Sequence, residues 1–127
     1  MKLSEAIACV DRGIAQAEKM GFKLSFAVID EFGQLVQMDR MDGASLMGPD
    51  IAEAKALTAL NFKRPTSEVA KIDKEVLKAL SEAVHFKVVP VAGGMPIFEG
   101  DELKGAIGVS GATSQQDEDI ARHAVGK

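Results

Sequence analysis

The sequence has no tryptophan and no tyrosine, and six phenylalanines are its whole aromatic complement. Stacking platforms for bases or sugars are therefore scarce. A single cysteine, Cys9, excludes an internal disulfide framework and any multi-cysteine metal site. The two histidines, His85 and His123, stand far apart and without a cysteine cluster, so no metal-site signature is present. No apolar run approaches the roughly 18–20 residues of a membrane span. Near the start, Glu5 and Asp11 interrupt the chain before an apolar leader core can form, which leads to the expectation of a cytoplasmic protein without a secretory leader. Positive charge is also in short supply. Fifteen Lys and Arg against nineteen Asp and Glu leave a net charge of −4. That excludes a generally basic nucleic-acid binder, although not a local basic site.

What is present suits one compact domain over residues 1–127, with 46% hydrophobic and 27% charged residues. Apolar residues at Ile7, Val10, Ile14 and Ala17 predict a helix over 4–20, with Ser4 as its N-cap and Gly21 as a left-handed C-cap. Gly13 inside it marks a close helix crossing. Residues 24–30 and 35–41 read as two strands joined by a Gly33-containing hairpin, the first apolar enough for a central position. Pro49 opens a helix over 49–62, and Arg64-Pro65 ends it. Thr66 or Ser67 caps a further helix over 67–83. Residues 84–92 are extended but broken by Pro90, giving at most a short edge strand. Strands over 95–99 and 103–110 form a second hairpin around Gly100-Asp101. A last helix, 115–125, has two capping-box registers open to it, Ser114 with Asp117 or Thr113 with Gln116. Two hairpins separated by helices specify an antiparallel sheet with helices packed on it, of the α/β (α+β) class, and disfavour a dinucleotide-binding fold.

The twelve glycines cluster, and the clusters locate the candidate site. In 105–117, GAIGVSGATSQQD, a glycine-rich strand runs into a capped helix, where amides from Gly111 to Gln115 can converge on a carboxylate or phosphate. The opposing reading is that Gly105, Gly108 and Gly111 only let strand and helix pack closely. Gly93-Gly94-Met95 is either a ligand-shaped loop or a tight turn. Lys55 and Thr58 share a face of an otherwise apolar helix. The lysine either snorkels to water or points into a cleft as a counter-charge. Asp30 and Arg40 are candidates to pair across the first hairpin, and Asp119 with His123 on the last helix. Cys9 reads as an inert buried thiol, and the methionines as core filler. Either histidine is compatible with one axial haem position, though the spacing requires neither.

The stretches 28–34 (VIDEFGQ), 40–44 (RMDGA), 51–59 (IAEAKALTA), 64–66 (RPT), 93–97 (GGMPI) and 105–111 (GAIGVSG) together resemble the GlcG/HbpS family of haem-binding or haem-degrading domains, which is related to the C-terminal domain of PduO-type corrinoid adenosyltransferases. The resemblance implies a profilin-like α/β/α arrangement, with a five-stranded antiparallel sheet flanked by helices on both faces and 84–91 as the fifth strand. It implies a homo-oligomer, and a shared cleft lined by Asp30, Arg40, Lys55, Thr58, Gly94, Gly108, Ser110 and Gly111. One departure stands out. Relatives that hold haem through a histidine use one in the N-terminal helix, and 4–20 contains none. The expected function is binding of a small anionic molecule, haem or another tetrapyrrole among the candidates, with Lys55 and Arg40 as counter-charges and Gly93, Gly94, Met95 and Gly108–Ser114 closing the cleft. The alternatives are a small isomerase or lyase acting on a carboxylic acid, with Lys55 polarising the substrate and Asp30 or His85 moving a proton, and an accessory protein for an operon partner.

Overall fold

The computed structural model describes residues 1–126. The chain runs α1 (Leu3–Met20), β1 (Ser25–Asp30), β2 (Leu35–Arg40), α2 (Gly48–Phe62), α3 (Thr66–Val69), α4 (Lys74–Ala83), β3 (Gly94–Glu99), β4 (Glu102–Ser110) and α5 (Ser114–Ala124). The strands make one antiparallel sheet in the order β2-β1-β4-β3. Helices α1 and α5 cover one face, and α2 with α3 covers the other. β1 is central and almost wholly buried, as its unbroken apolar run requires.

The sheet has four strands, not five. Residues 84–92 stay irregular because Pro90 has no N–H to give a ladder, while side chains on the helical layer take their neighbours' polar groups. Val89 N donates to Thr58 Oγ1 at 2.9 Å, and Thr66 Oγ1 donates to Val91 O at 2.6 Å. The helix expected over 67–83 is two helices. The first turn after Pro65 ends at Val69, and Asp73 restarts the chain by accepting from the amides of Glu75 and Val76. Thr66 is thus no cap. Its hydroxyl instead joins the 84–92 segment and accepts from Gly94 N at 2.9 Å. At the first helix the cap position is Lys2 rather than Ser4, and the Glu5 carboxylate takes the Lys2 amide at 2.9 Å.

Two cores lie on the two faces. Phe26, Val28, Ile107 and Val109 meet α1 and α5, while Ile29 and Ala106 meet Ala56, Ala59 and Leu60 of α2. Gly13 serves close approach, since a Cβ there would sit 2.6 Å from the Phe26 ring and 3.4 Å from Ala124 Cβ. On the other face α2 comes down to the backbone of the sheet. A Cβ on Gly108 would lie 1.8 Å from Ala52 O, and one on Gly94 2.4 Å from Lys55 O. Helix α2 presents Ala52, Ala56 and Ala59 there, all fully buried. Small residues on both sides remove the spacing that side chains normally impose.

Candidate functional site

Because α2 lies flush on β4, Lys55 can reach across the end of the sheet. Its ammonium donates to Val109 O at 2.9 Å and to Asp117 Oδ2 at 3.0 Å. Both side chains are nearly sealed, at 3% and 4% exposure. Asp117 belongs to the first turn of α5, and its other oxygen accepts from Ala112 N at 2.9 Å. The capping box that forms is the Thr113–Gln116 one, with Thr113 Oγ1 accepting from Gln116 N and Gln116 Oε1 accepting from Thr113 N. That register releases Asp117 from capping and turns it inward against Lys55.

Above this ion pair lies an open cleft of about 450 Å³. Met47 caps the start of α2 and Ile51 lies in its first turn, Val89 and Val91 come from the irregular segment, and Ala112 from the β4–α5 turn. Hydroxyls of Ser45, Ser110 and Ser114 stand among them. The floor holds one full positive and one full negative charge in contact, so its net charge is zero. An ammonium has three donors, and two of the Lys55 donors are engaged within the protein.

Of the residues expected at the site, Lys55, Ser110 and Gly111 line the cleft. Gly93 closes against its floor. It sits at φ 131°, where a Cβ would fall 2.7 Å from Lys55 Nζ and 2.5 Å from Val109 O. The others lie elsewhere. Gly94 and Gly108 are packed against α2 backbone, so at these two positions the glycines serve contact between layers rather than a ligand. Met95 is a core side chain at 4% exposure. Thr58 donates to Ala54 O and holds Val89 N. Arg40 is exposed and reaches Ala44 O at 3.4 Å. Asp30 caps the first hairpin, its Oδ1 accepting from the amides of Phe32 and Gln34 at 2.9 Å each. Asp30 lies four residues along β1 from Phe26, which pairs with Val109, or about 13 Å at the usual rise per strand residue. Lys55 and Asp30 are therefore not brought together, and Arg40, which pairs with Ser25 at the opposite end of β1, does not meet Asp30. The amides of Ala112 and Thr113, expected to greet an anion, are bound by the chain's own Asp117 and Gln116.

Asp117 is the residue that sequence reasoning missed. Its signal was the S-x-x-D spacing, which two overlapping capping registers left ambiguous. His85 and His123 are both exposed and outside the cleft, and Asp119 is bonded to Gln115 rather than to His123. Among the described residues no group of three or more His, Cys, Asp or Glu is placed to hold a metal ion. Cys9 is buried, with its Sγ against Ala124 O at 3.4 Å. Burial pushes its thiol pKa up, and the Arg12 guanidinium beside it pulls the other way without prevailing. No helix among the described residues is long and apolar enough to cross a membrane.

Comparison with known proteins places this geometry among relatives. The family model described as haem degrading protein HbpS-like matches residues 1–126. An uncharacterized 15.0 kDa protein of the dhaT-dhaS intergenic region in Citrobacter freundii is 32% identical over 113 residues, covering 87% of this chain and 80% of that one. The crystal structure of the Klebsiella pneumoniae protein ORFY superposes with a TM-score of 0.92 at 28% identity, over 98% of this chain and 88% of the other. A structure described as a PduOC:heme complex superposes with a TM-score of 0.90 at 26% identity, over 98% and 92%. The full-length corrinoid adenosyltransferase PduO of Salmonella typhimurium is 29% identical over 114 residues, which is 88% of this chain but only 34% of the enzyme.

Proposed function

This chain belongs to the haem degrading protein HbpS-like family, and from that premise we propose that it is a small-molecule-binding protein whose cleft takes a tetrapyrrole, with haem as the first candidate. The observation that carries this reading is the composition of the cleft. Its walls are apolar, at Met47, Ile51, Val89, Val91 and Ala112, and its floor is an ion pair that neutralises itself. Such a surface gains by covering an apolar macrocycle, with roughly 25 cal/mol for each Å² removed from water. It offers little to a small, compact anion, because Asp117 stands beside the one buried cation. The carboxylates of a tetrapyrrole would be met at the rim, by Ser45 and Ser114 and by water. When bound, haem would supply a redox-active iron with open axial positions. The protein's own part is to bind and orient the ring and to exclude water from its apolar face. A relative of the same fold described as a heme complex supports haem as the ligand class.

The same reading makes the protein a homo-oligomer. Helix α4 is strongly amphipathic but buries only Leu77, leaving Val76, Leu80 and Val84 at 48%, 37% and 37% exposure. Light scattering behind a sizing column tests that part. The ligand assignment is tested by titrating micromolar protein with hemin and following the Soret band. A saturable shift is expected, lost or strongly weakened in Val91→Asp and Ile51→Glu. Absence of a saturable shift, or equal binding by both variants, overturns it.

A further inference from the structure

We infer that the start of α2 is a carboxylate seat, at the end of the cleft away from Lys55, where the hydroxyls of Ser45 and Ser110 hold a carboxylate carried by the cleft's guest and Ser25 positions them from behind. This rests on the tetrapyrrole reading above and deepens it, by fixing which end of the cleft takes the charged edge of the guest.

Ser25 marks the place. Its side chain is wholly buried, and among the described residues its Oγ is the one buried side-chain oxygen or nitrogen without a hydrogen-bond partner. Leaving a buried hydroxyl unpaired is unfavourable. The hydroxyl is aimed at the first residue of α2. A Cβ on Gly48 would lie 2.7 Å from Ser25 Oγ, 3.2 Å from Ser25 Cβ and 3.3 Å from Ser45 Oγ. Ser25 is also paired with Ser110 on one neighbouring strand and with Arg40 on the other. Directly opposed residues of antiparallel strands share a face, so Ser110, Ser25 and Arg40 form one row across the end of the sheet, beneath the helix start. Ser45 and Ser110 line the cleft, and the exposed Ser45 side chain is free to turn.

This end of the cleft has the polarity for an anion. Helix α2 is 15 residues long, and its N-terminus carries partial positive charge. Gly48 N is engaged by Ser45 O and Ile51 N by Met47 O, and Pro49 has no amide, so the contacts to a carboxylate fall to the hydroxyls. Arg40 stands outside the lining, but its guanidinium reaches Ala44 O at 3.4 Å, one residue before Ser45. Asp50, the acid of the same turn, is exposed and outside the lining, so water and salt screen it. At the other end Asp117 cancels Lys55. Met47, Ile51 and Lys55 follow at four-residue steps along α2, which puts the two ends about 12 Å apart at 1.5 Å per residue. An apolar body can cover the walls between them while its carboxylate reaches the helix start. Ser45 and Ser110 then donate to the carboxylate, and their oxygens accept from Ser25. Hydroxyls linked in this way strengthen one another.

The test compares hemin with its dimethyl ester, which keeps the ring and loses both carboxylate charges, by Soret titration of the intact protein. The wild type should bind the diacid about tenfold or more tightly than the diester, as a hydrogen-bonded carboxylate contributes. Ser45→Ala, at an exposed position, and Ser25→Ala should each move that ratio toward one with the diester affinity unchanged. Arg40→Gln should lower the ratio and weaken its dependence on salt. Ser25→Ala carries a second signature. It removes an unpaired buried hydroxyl, so the ligand-free variant should keep or raise its urea midpoint while losing the preference; a lowered midpoint would make Ser25 structural and overturn its part. Equal affinities for diacid and diester in the wild type, or a ratio that survives in the combined Ser25→Ala and Ser45→Ala variant, overturn the seat and leave the cleft reading standing. Full displacement of hemin by millimolar propionate overturns it in favour of a site for free small carboxylates. Failure of the wild type to bind either porphyrin removes the tetrapyrrole reading and the seat together.

Discussion

Removing Asp117 should be among the most damaging single changes in this protein. The pair it makes with Lys55 is 3.0 Å long, and both side chains are almost fully withdrawn from water. In Asp117→Ala the ammonium stays in place without its counter-charge. Breaking a buried pair from one side costs about 3–5 kcal/mol. The Ala112 amide also loses its acceptor, which adds about 1 kcal/mol or more. The sum, about 4–6 kcal/mol, is comparable with the whole stability of many domains, about 5–15 kcal/mol. Asp117→Asn keeps an oxygen for Ala112 N and should lose less. The double variant Lys55→Met with Asp117→Asn should recover most of the deficit, since replacing both partners of a buried pair is often near neutral. Urea unfolding of these proteins together with the Lys55→Met single variant measures the coupling. With slopes of about 1–3 kcal/mol per molar urea, a 3 kcal/mol loss moves the midpoint by roughly 1–3 M. A loss below about 1 kcal/mol in Asp117→Ala, the value of an exposed ion pair, would refute the claim that this pair is sealed.

Three further outcomes follow from the same structure. Asp117→Asn leaves the Lys55 charge without its offset, so a small organic carboxylate that binds the wild type weakly should bind this variant more tightly and with stronger dependence on salt; calorimetry showing equal affinities would remove the offset argument. Gly108→Ala forces a Cβ to within 1.8 Å of the Ala52 carbonyl, so α2 must lift from the sheet, at a cost of about 3 kcal/mol or more; an unchanged melting temperature would contradict the backbone contact. The folded Cys9 thiol keeps its proton to higher pH than the unfolded one, because burial outweighs Arg12. The native state therefore binds more protons once the pH exceeds the unfolded value of about 8.5, and stability should fall as the pH rises further. Cys9→Ala should lack that alkaline slope, and identical slopes in urea titrations at pH 8 to 10 would count against it.

Much of the layered architecture was legible because each element carried its own signal. The apolar run of β1, the Gly33 and Gly100 turns, Pro49 at the start of α2 and Gly21 at the end of α1 act locally, and the structure keeps each of them. The fifth strand was not legible, because what denies it lies far away in sequence, in Thr58 and Thr66 claiming Val89 and Val91. The break between α3 and α4 turned on Asp73, whose capping role was hidden inside a charged run. At the site, Lys55 was found from its isolation in an apolar helix, but Asp30, Arg40 and Thr58 each have a local partner that occupies them. The glycine signal was real but divided. Gly94 and Gly108 meet the backbone of α2, Gly93 closes on Val109 O and Lys55, and Gly111 lines the cleft while also packing on Lys23 O.

The ligand chemistry of the cleft turns on the register of one helix start. Had Ser114 capped α5, with Asp117 as the third residue of its box, that carboxylate would face the exposed first turn. Lys55 would then be a lone buried cation, and the cleft would select for anions. Thr113 and Gln116 cap the helix one residue earlier, each taking the other's amide, and Asp117 folds under to meet Lys55. A single-residue difference in capping thus converts a charged floor to a neutral one. Once the floor is neutral, affinity has to come from the apolar walls, and walls reward broad, flat, hydrophobic guests in proportion to the area they cover.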